Sequence, residues 1–531
     1  MNLMVMIWDG RAILIDCGVM FPEAGMLGVD LIVPNIQFIR ESKIKVEGIV
    51  LTHGHEDHIG ATAFLYEELK RPPIFGTDFT LALVEVRMRE HGNLSHASLR
   101  HVHRGKKFRA GPFQIEPIQV THSIADSMGL AIETPIGKII HSGDFKIDRK
   151  SMSGERFDEA RIKKFGKENI LLLMSDSTNS EREGWSVSES EVTIGLRRVI
   201  KSIKKGKVLV ALFASNVHRV HEVIKIANDC GRKVALCGRS MHSNFEVAQK
   251  LGLFRIHPGQ MIANELVMDM DPTKVLIIST GTQAEPRSAL YRMSLNDHPE
   301  IKLEDGDTVV MSSRHIPGNE RNISHLVNNL YRRGAVVIDS KSAPIHASGH
   351  AYQEEQKAML RWTKPKFFFP VHGEYRMLVK HQQIATELTK QVKSLVAENG
   401  DVLELSKDSF RKVGHVPAGK IYLDEAAGDL HEGLLRDRKQ LAHSGLVVVS
   451  SVVDSETGSM IEGPDFDIRG VNDEVDLEGL RSELVRRFKE LSLEARKDSH
   501  ELNEEFRRVT RRFFFKANGV KPVVIPLIYQ V

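Results

Sequence analysis

Short apolar runs alternate with glycine-rich turns along residues 1–200, a pattern typical of strands joined by tight turns. The strands that this pattern predicts cover residues 5–7, 12–16, 49–51, 115–120, 138–141 and 170–174. Ionisable residues stand at the ends of these strands or just beyond them: Asp16, His53, His122, Asp144 and Asp176. Because rigid scaffolds usually present catalytic side chains on such loops, we expect the chemistry of the protein there.

The pattern changes to alternating strands and helices over residues 205–340. The strands predicted in this part are 208–213, 233–237, 274–279, 308–312 and 335–339, and the helices are 216–229 and 240–251. Strands that alternate with helices favour a parallel α/β sheet, and therefore a second domain. After residue 345 the first pattern resumes, with a helix at 353–361 and a strand at 366–371.

These changes of pattern divide the chain into segments. Residues 1–200 and 344–425 form two parts of one domain, and residues 201–343 form a second domain between them. A linker at 426–440 then leads to a small α+β module over residues 441–531. The length of 531 residues agrees with several cores, because single cores rarely exceed roughly 250–300 residues.

Composition narrows the class of protein only a little. Hydrophobic residues make up 41% of the chain and charged residues 27%, as in ordinary soluble globular proteins. A net charge of +3 gives no argument for nucleic-acid binding. Three cysteines without paired spacing fit a reducing cytoplasm. No apolar run reaches the roughly 18 residues of a membrane span, so we expect a cytoplasmic protein.

The strongest chemical signal is a cluster of histidines directly after the predicted strand 49–51. His53, His55, Asp57 and His58 follow within a few residues of each other. One His-x-His alone is common in solvated loops, but the full pattern after a strand is rare and favours metal binding. Imidazole and carboxylate ligands suit zinc or manganese. We expect one ion on His53 and His55 and a second on Asp57 and His58.

Three further residues complete this ligand set, although each of them alone would be an ordinary turn residue. His122 adds a third imidazole to one metal, His372 completes the other, and Asp144 bridges both. Two ions joined in this way activate water and stabilise an in-line displacement at an anionic phosphodiester. Asp16 suits a hydrogen bond to a ligand better than metal binding, and its alternative role is that of a turn residue at a strand end.

A second group of residues has the chemistry to recognise and protonate a substrate. His346, Ser348 and His350 alternate along a glycine-containing loop that can present hydroxyl, imidazole and N–H donors to one phosphate. Asp176 follows a buried strand and can hold His350 in its protonated form. A protonated imidazole can donate to a leaving oxygen.

Taken together, these motifs resemble the metallo-β-lactamase nucleases that carry a β-CASP insertion, most closely the bacterial ribonuclease J family. The resemblance rests on residues 16–18, 21–34, 53–58, 121–127, 141–146, 175–180, 213–216, 279–283, 316–320, 346–350 and 370–377. It implies an α/β fold: an αββα metallo-β-lactamase sandwich with an inserted α/β β-CASP domain and a small α+β C-terminal domain. The C-terminal domain of this family supports self-association.

The resemblance also implies an activity. It implies a ribonuclease with two zinc ions, with Mn²⁺ or Mg²⁺ as alternatives, that acts as a 5′-to-3′ exonuclease on 5′-monophosphorylated RNA and as an endonuclease. The partners it implies are single-stranded RNA, further copies in a homodimer or homotetramer, and other RNA-decay proteins. The processes it implies are RNA maturation, including that of ribosomal RNA, and mRNA decay.

Family roles carry over onto the matching positions. The four metallo-β-lactamase motifs match Asp16, the His53–His58 segment with its four ligands, His122 and Asp144, and the three β-CASP motifs match Asp176, His350 and His372. The family's 5′-phosphate pocket matches His346, Ser348 and His350. Asp57 and Asp144 would then orient the attacking water, while the His350–Asp176 pair stabilises the leaving oxygen.

Some alternatives stay open at this point. The same fold serves β-CASP nucleases that act on DNA, scaffold subunits without turnover, and small-molecule hydrolases. The run Arg507, Arg508, Arg511 and Arg512 is either a solvated charged face balanced by glutamates or a patch that contacts RNA. Family members begin with a further strand and a glycine-rich loop, and since an uncovered sheet edge is a liability, we expect a start site upstream of Met1.

Overall fold

The computed structural model describes residues 1–23, 25–150, 154–314, 316, 318–424, 428–471 and 475–531. Two compact units make up the chain, one of 1–20 with 33–420 and the other of 21–32 with 421–531. His315, to which the sequence assigns no role, lies outside the described residues.

Two sheets pack face to face in the first unit. The first sheet has the strand order Met4–Trp8, Arg11–Ile15, Lys45–Val50, Ile74–Gly76 and Leu99–His101. The second sheet has the order Lys393–Ser394, Phe367–Val371, Ile170–Asp176, Gly137–His141, Met128–Thr134, Phe113–Gln119 and Phe108–Ala110. One apolar core joins Ile13 and Val50 of the first sheet to Ile115, Leu130 and Phe367 of the second.

Helices cover the outer faces of these sheets. A second core joins the outer face of the second sheet to the helices Glu159–Phe165, Gln353–Thr363 and Tyr375–Leu388. The other helices around the sheets are Gln37–Glu41, Glu56–Ile59, Thr62–Leu65, Asp78–Glu90 and the 3-10 turn Leu94–His96. Strand Ile170–Asp176 is buried throughout because Leu172 enters one core and Leu173 the other. The layers confirm the expected αββα sandwich.

A parallel five-stranded sheet forms the inserted domain. Its order is Lys233–Cys237, Val275–Ser279, Val208–Ala211, Thr308–Met311 and Val336–Ile338, with every neighbouring pair parallel. Its helices are Glu189–Ser202, Val217–Asp229, Arg239–Lys250, Ala289–Leu295 and Glu320–Arg332, with 3-10 turns at Asn264–Asp269 and Pro272–Lys274. This parallel sheet confirms the expectation from strand–helix alternation.

A three-stranded sheet with helices on one face builds most of the second unit. The strand order is Met460–Arg469, Leu446–Val453 and Val523–Gln530, and the helices are Leu477–Glu490, Leu493–Lys497 and Ser499–Asn518. The core of this unit includes Val447, Leu484, Phe506 and Phe514. On the last helix Arg508 pairs with Glu505 at 2.6 Å, which favours the solvated charged face among the two readings of the arginine run.

The segment 426–440 differs from the expected linker. Residues 426 and 427 lie outside the described residues, but Gly428–Leu430 is a strand paired with Lys420–Asp424, and Glu432–Ser444 is a helix. Leu430 is 5% exposed, so its side chain is buried in this stretch. The remaining strands are Leu31–Pro34 and the hairpin Asp401–Leu405 with Phe410–His415. In the described part of the chain no helix is long and apolar enough to cross a membrane.

Candidate metal centre

The seven residues expected to bind metal lie together in the first unit. Ligand atoms of His53, His55 and His122 lie within 4.8 Å of one another, as do those of Asp57, His58 and His372. Asp144 lies between the two groups. Its Oδ2 is 3.2 Å from Nε2 of His58, 3.1 Å from Nε2 of His372, and 3.8 Å from Nε2 of His53.

Strand ends deliver these side chains to one place. His53 and His55 follow the strand Lys45–Val50, and the short helix Glu56–Ile59 carries Asp57 and His58. His122, Asp144 and His372 each follow a strand of the second sheet. The ligand His372 and the neighbouring Asp16 have left-handed backbone angles, with φ of 53° and 63°. Such angles are strained for residues other than glycine and occur where the surroundings impose them, often at functional sites.

Each imidazole of the centre has one ring nitrogen that faces the other ligands and one that faces away from them, which we call the outward nitrogen. A hydrogen bond at the outward nitrogen holds each ring in place. His58 Nδ1 donates to Asp16 Oδ2 at 2.7 Å, so Asp16 takes the supporting place expected of it. His372 Nδ1 donates to Asn2 Oδ1 at 2.9 Å. Because Nδ1 is engaged in each ring, Nε2 is the nitrogen that faces Asp144 and can bind a cation once it has lost its proton.

The other group of imidazoles is held in the same way. His122 Nδ1 donates to the carbonyl of Gly349 at 2.7 Å. Thr52 donates its hydroxyl hydrogen to Asp16 at 2.9 Å, so the same hydroxyl accepts from His53 Nδ1 at 3.0 Å. A Cβ on Gly349 would lie 2.7 Å from Cε1 of His122, so only glycine allows this approach.

Sequence patterns did not predict that these residues hold the imidazoles. Asn2, Thr52 and Gly349 were missed because each acts through a contact formed only in the folded chain. Thr52 adjoins His53, and that adjacency is the one local signal that could have found it.

The donor chemistry fits divalent cations. Nε2 of His53 and Nε2 of His122 lie 3.0 and 3.1 Å from Nδ1 of His55, so ring nitrogens converge on a single point. Burial lowers the pKa of His53 and of His122, and it lowers the pKa of His55 to about 4. Uncharged nitrogens that converge in this way repel one another unless a cation lies between them.

Carboxylates supply the negative charge of the centre. Burial would raise the pKa of Asp144, but His372 and His58 outweigh it and hold this pKa well below its usual value. Burial would lower the pKa of His58, yet Asp144, Asp57 and Asp16 hold it well above its usual value. A cation at His58 would therefore take the place of a proton.

Asp176 and His350 form a hydrogen-bonded pair beside the centre. His350 Nδ1 donates to Asp176 Oδ2 at 2.8 Å, while Asp176 Oδ1 accepts from the backbone and hydroxyl of Thr178 at 2.9 and 2.7 Å. Burial would lower the pKa of His350, but Asp176 outweighs it and raises this pKa to about 9. The pair that the sequence predicted is present, and ligand atoms of Asp176, His350 and His372 lie within 4.8 Å of one another.

Hydrogen bonds from neighbouring groups hold the loop 346–350 in place. Ser348 Oγ accepts from Asn179 Nδ2 at 2.8 Å and from His350 N at 3.3 Å, so its own hydrogen remains for another acceptor. Arg219 Nη1 lies 3.3 Å from His346 Nδ1, and since arginine only donates, the ring accepts there. Burial and the charge of Arg219 lower the pKa of His346 to about 3. Neither Asn179 nor Arg219 was predicted from the sequence as a site residue.

Comparison with known proteins identifies the family of this chain. The chain is 42% identical to Ribonuclease J of Synechocystis over 88% of this chain and 73% of that protein. It is 36% identical to Ribonuclease J of Thermus thermophilus over 100% of this chain and 93% of that protein. The chain belongs to the ribonuclease J family. The expected resemblance is confirmed, and Ribonuclease J2 of Bacillus subtilis, 34% identical over 100% of this chain and 96% of its own length, is a further relative.

Family models of ribonuclease J and of its domains cover most of the chain. The Beta-lactamase superfamily domain matches residues 11–163, and the Ribonuclease J, beta-CASP domain matches 205–330. The Zn-dependent metallo-hydrolase RNA specificity domain matches 339–395, and the Ribonuclease J C-terminal domain matches 433–531. Ribonuclease J membership and the clustered His and Asp ligands together indicate a metal-binding hydrolase of the nuclease type.

One solved structure shares the fold. A crystal structure of a protein of unknown function from Enterococcus faecalis V583 matches with a TM-score of 0.53 and 14% identity, covering 77% of this chain and 96% of that one. At this identity the likeness shows the fold alone.

Proposed function

We propose that this protein hydrolyses RNA phosphodiesters as a 5′-to-3′ exonuclease on 5′-monophosphorylated RNA, and as an endonuclease, in RNA maturation and mRNA decay. The observation that carries the proposal is the arrangement of two imidazole groups around Asp144, directly beside the Asp176–His350 pair. Membership of the ribonuclease J family supports RNA as the substrate.

The metal centre is proposed to hold two zinc ions, with Mn²⁺ or Mg²⁺ as alternatives. His53, His55 and His122 would hold one ion, Asp57, His58 and His372 the other, and Asp144 both. Ions bound there would acidify water and offset the charge of the phosphodiester. Asp57, whose side chain is 43% exposed, and Asp144 orient the attacking water.

His350 is the proposed proton donor to the leaving 3′-oxygen. Its Nδ1 hydrogen is engaged by Asp176, so the transferable proton is the one on Nε2. Thr178 fixes Asp176 through two hydrogen bonds, and this keeps the ring oriented. Asp176 therefore acts by holding the proton on His350 rather than by touching the substrate.

The loop 346–350 is the proposed pocket for the 5′-monophosphate. Ser348 offers its free hydroxyl hydrogen, the ring of His350 contributes its positive charge, and His346 completes the set. A triphosphate is larger and more highly charged than such a small set of donors can receive. This gives a physical reason for a preference for monophosphorylated ends.

The partners and the location of the enzyme are proposed from its family and its cysteines. Single-stranded RNA is the partner that fits exonuclease action, and the C-terminal unit is proposed to support a homodimer or homotetramer and contacts with other RNA-decay proteins. The three cysteines are free, which suits a reducing cytoplasm.

Digestion of matched oligonucleotides tests this proposal. We expect mononucleotides from 3′-labelled RNA that carries a 5′-monophosphate, and slower release from the same RNA with a 5′-triphosphate, where an endonucleolytic cut has to come first. A DNA oligonucleotide of the same sequence is the comparison substrate. Faster hydrolysis of DNA than of RNA, or equal release from both RNA ends, would contradict the proposal.

A further inference from the structure

His55 is the ligand of the centre whose outward nitrogen is held by the inserted domain. Its Nδ1 faces His53 and His122, and its Nε2 lies 3.1 Å from the hydroxyl of Ser215. The corresponding partners of the other four imidazoles are Asp16, Thr52, Asn2 and the carbonyl of Gly349. These four partners lie outside the parallel-sheet domain.

Ser215 occupies a well-braced loop. This loop joins the strand Val208–Ala211 to the helix Val217–Asp229 of the inserted domain. The neighbouring Asn216 caps that helix, with its Oδ1 accepting from Arg219 N at 3.1 Å. The position of the hydroxyl is therefore set by the inserted domain and not by the segment that carries the metal ligands.

We infer that Ser215 is a positioning residue for the proposed metal site of His53, His55 and His122. Through this contact, cation binding at the site is linked to the position of the inserted domain relative to His55. The inference rests on the proposed metal centre. When Nε2 donates to Ser215, the hydrogen of the ring is fixed on the outward side, and the lone pair of Nδ1 is directed at the cation.

Reciprocal coupling follows from this contact. Any movement of the inserted domain that separates Ser215 from Nε2 frees the His55 ring to rotate and to change tautomer. By thermodynamic linkage, a cation on His55 stabilises the position of the inserted domain in which Ser215 contacts Nε2. The free energy of this stabilisation equals the amount by which the contact strengthens cation binding. The second ion site, on Asp57, His58 and His372, has no such contact among the hydrogen bonds of its described residues.

Cation titration of the metal-free, full-length protein tests the inference without an activity measurement. Co²⁺ serves as the probe, followed by calorimetry and by visible absorption, in wild type and in Ser215→Ala. We expect one of two Co²⁺ sites to weaken about 10- to 100-fold in Ser215→Ala, with the other within about threefold of wild type. Ser215→Thr keeps the hydroxyl and should restore the lost affinity.

Asp271→Ala is the control, because it removes a cap in another loop of the inserted domain, where Asp271 Oδ1 accepts from Thr273 N at 2.9 Å, and leaves the Ser215 loop intact. We expect it to lower the melting temperature and leave both Co²⁺ affinities unchanged. Unaltered Co²⁺ affinities in Ser215→Ala, or equal weakening of both sites, would overturn this inference and leave the proposed metal centre standing. Absence of Co²⁺ binding by the wild type would overturn the proposed metal centre and this inference with it.

Discussion

Replacing Asp16 with Asn tests how a residue that need not touch a cation controls its binding. Asp16 is 2% exposed; its Oδ1 accepts from Thr52 N at 2.7 Å, and its Oδ2 accepts from His58 Nδ1 at 2.7 Å. Asparagine has one acceptor oxygen, so its NH₂ group must face one of these donors. The backbone N–H of Thr52 cannot change, and therefore the NH₂ group faces His58. The left-handed backbone angle of Asp16 suits Asn as well, so we expect the fold to be unaffected.

The expected effect comes from the tautomer of His58. Facing an NH₂ donor, Nδ1 must accept, and the ring hydrogen moves to Nε2, which lies 3.2 Å from Asp144 Oδ2. A nitrogen that carries this hydrogen cannot bind a cation. To bind a cation, the ring must return to the original tautomer, and it then loses the hydrogen bond from Nε2 to the Asp144 carboxylate. The loss of a hydrogen bond to a charged group costs about 1.5–3 kcal/mol. We therefore expect the affinity for one cation to fall about 10- to 150-fold.

Competition for Zn²⁺ between the metal-free protein and a chromophoric chelator measures this change. Asp158→Asn is the control, because Asp158 caps a helix by accepting from Arg161 N at 2.9 Å and Asn caps as well as Asp. Zn²⁺ affinities of Asp16→Asn within about threefold of wild type at both sites would refute the reasoning, because they correspond to well under 1.4 kcal/mol.

Three further substitutions separate the other roles. His350→Gln should lower kcat about 10²- to 10⁴-fold at unchanged Zn²⁺ affinity, and an unchanged kcat would exclude proton donation by His350. Ser348→Ala should raise KM for 5′-monophosphorylated RNA about 10- to 150-fold and spare 5′-hydroxyl RNA, whereas equal effects on both would count against the phosphate pocket. Burial would raise the pKa of Glu189, but the charges of Arg219 and Lys146 outweigh it and lower this pKa to about 2. The ionised Glu189 therefore stabilises the fold at pH values above the ordinary carboxyl pKa, and this stabilisation is lost as the pH falls towards 2. Urea unfolding of Glu189→Gln should therefore show a deficit of about 3–5 kcal/mol at neutral pH that narrows in acid, and a deficit independent of pH would contradict this account.

Local sequence patterns predicted the strands and the grouping of the site, whereas the layered sandwich was implied by the family resemblance. Ligands that follow strands, such as His122 and Asp144, could be recognised because a strand end fixes where the next residues lie. The parallel sheet followed from runs of buried Val, Ile and Leu separated by amphipathic helices.

Contacts between distant segments could not be predicted in the same way. Asn2, Gly349 and Ser215 hold ligand rings through contacts that depend on how separate segments pack, and Gly349 acts through a carbonyl that every residue type has. The strand and helix within the predicted linker 426–440 were not expected either, because the burial of Leu430 depends on how the folded chain packs. Polar content alone does not distinguish a linker from an amphipathic surface helix.

RNA hydrolysis by metal-free protein, reconstituted stepwise with Zn²⁺, tests the central claim most directly. The account predicts no hydrolysis of 5′-monophosphorylated RNA without metal, recovery that is complete at two equivalents of Zn²⁺, and no recovery in Asp144→Ala, whose carboxylate lies between both imidazole groups. Hydrolysis at the wild-type rate by the metal-free protein, or by Asp144→Ala, would contradict it.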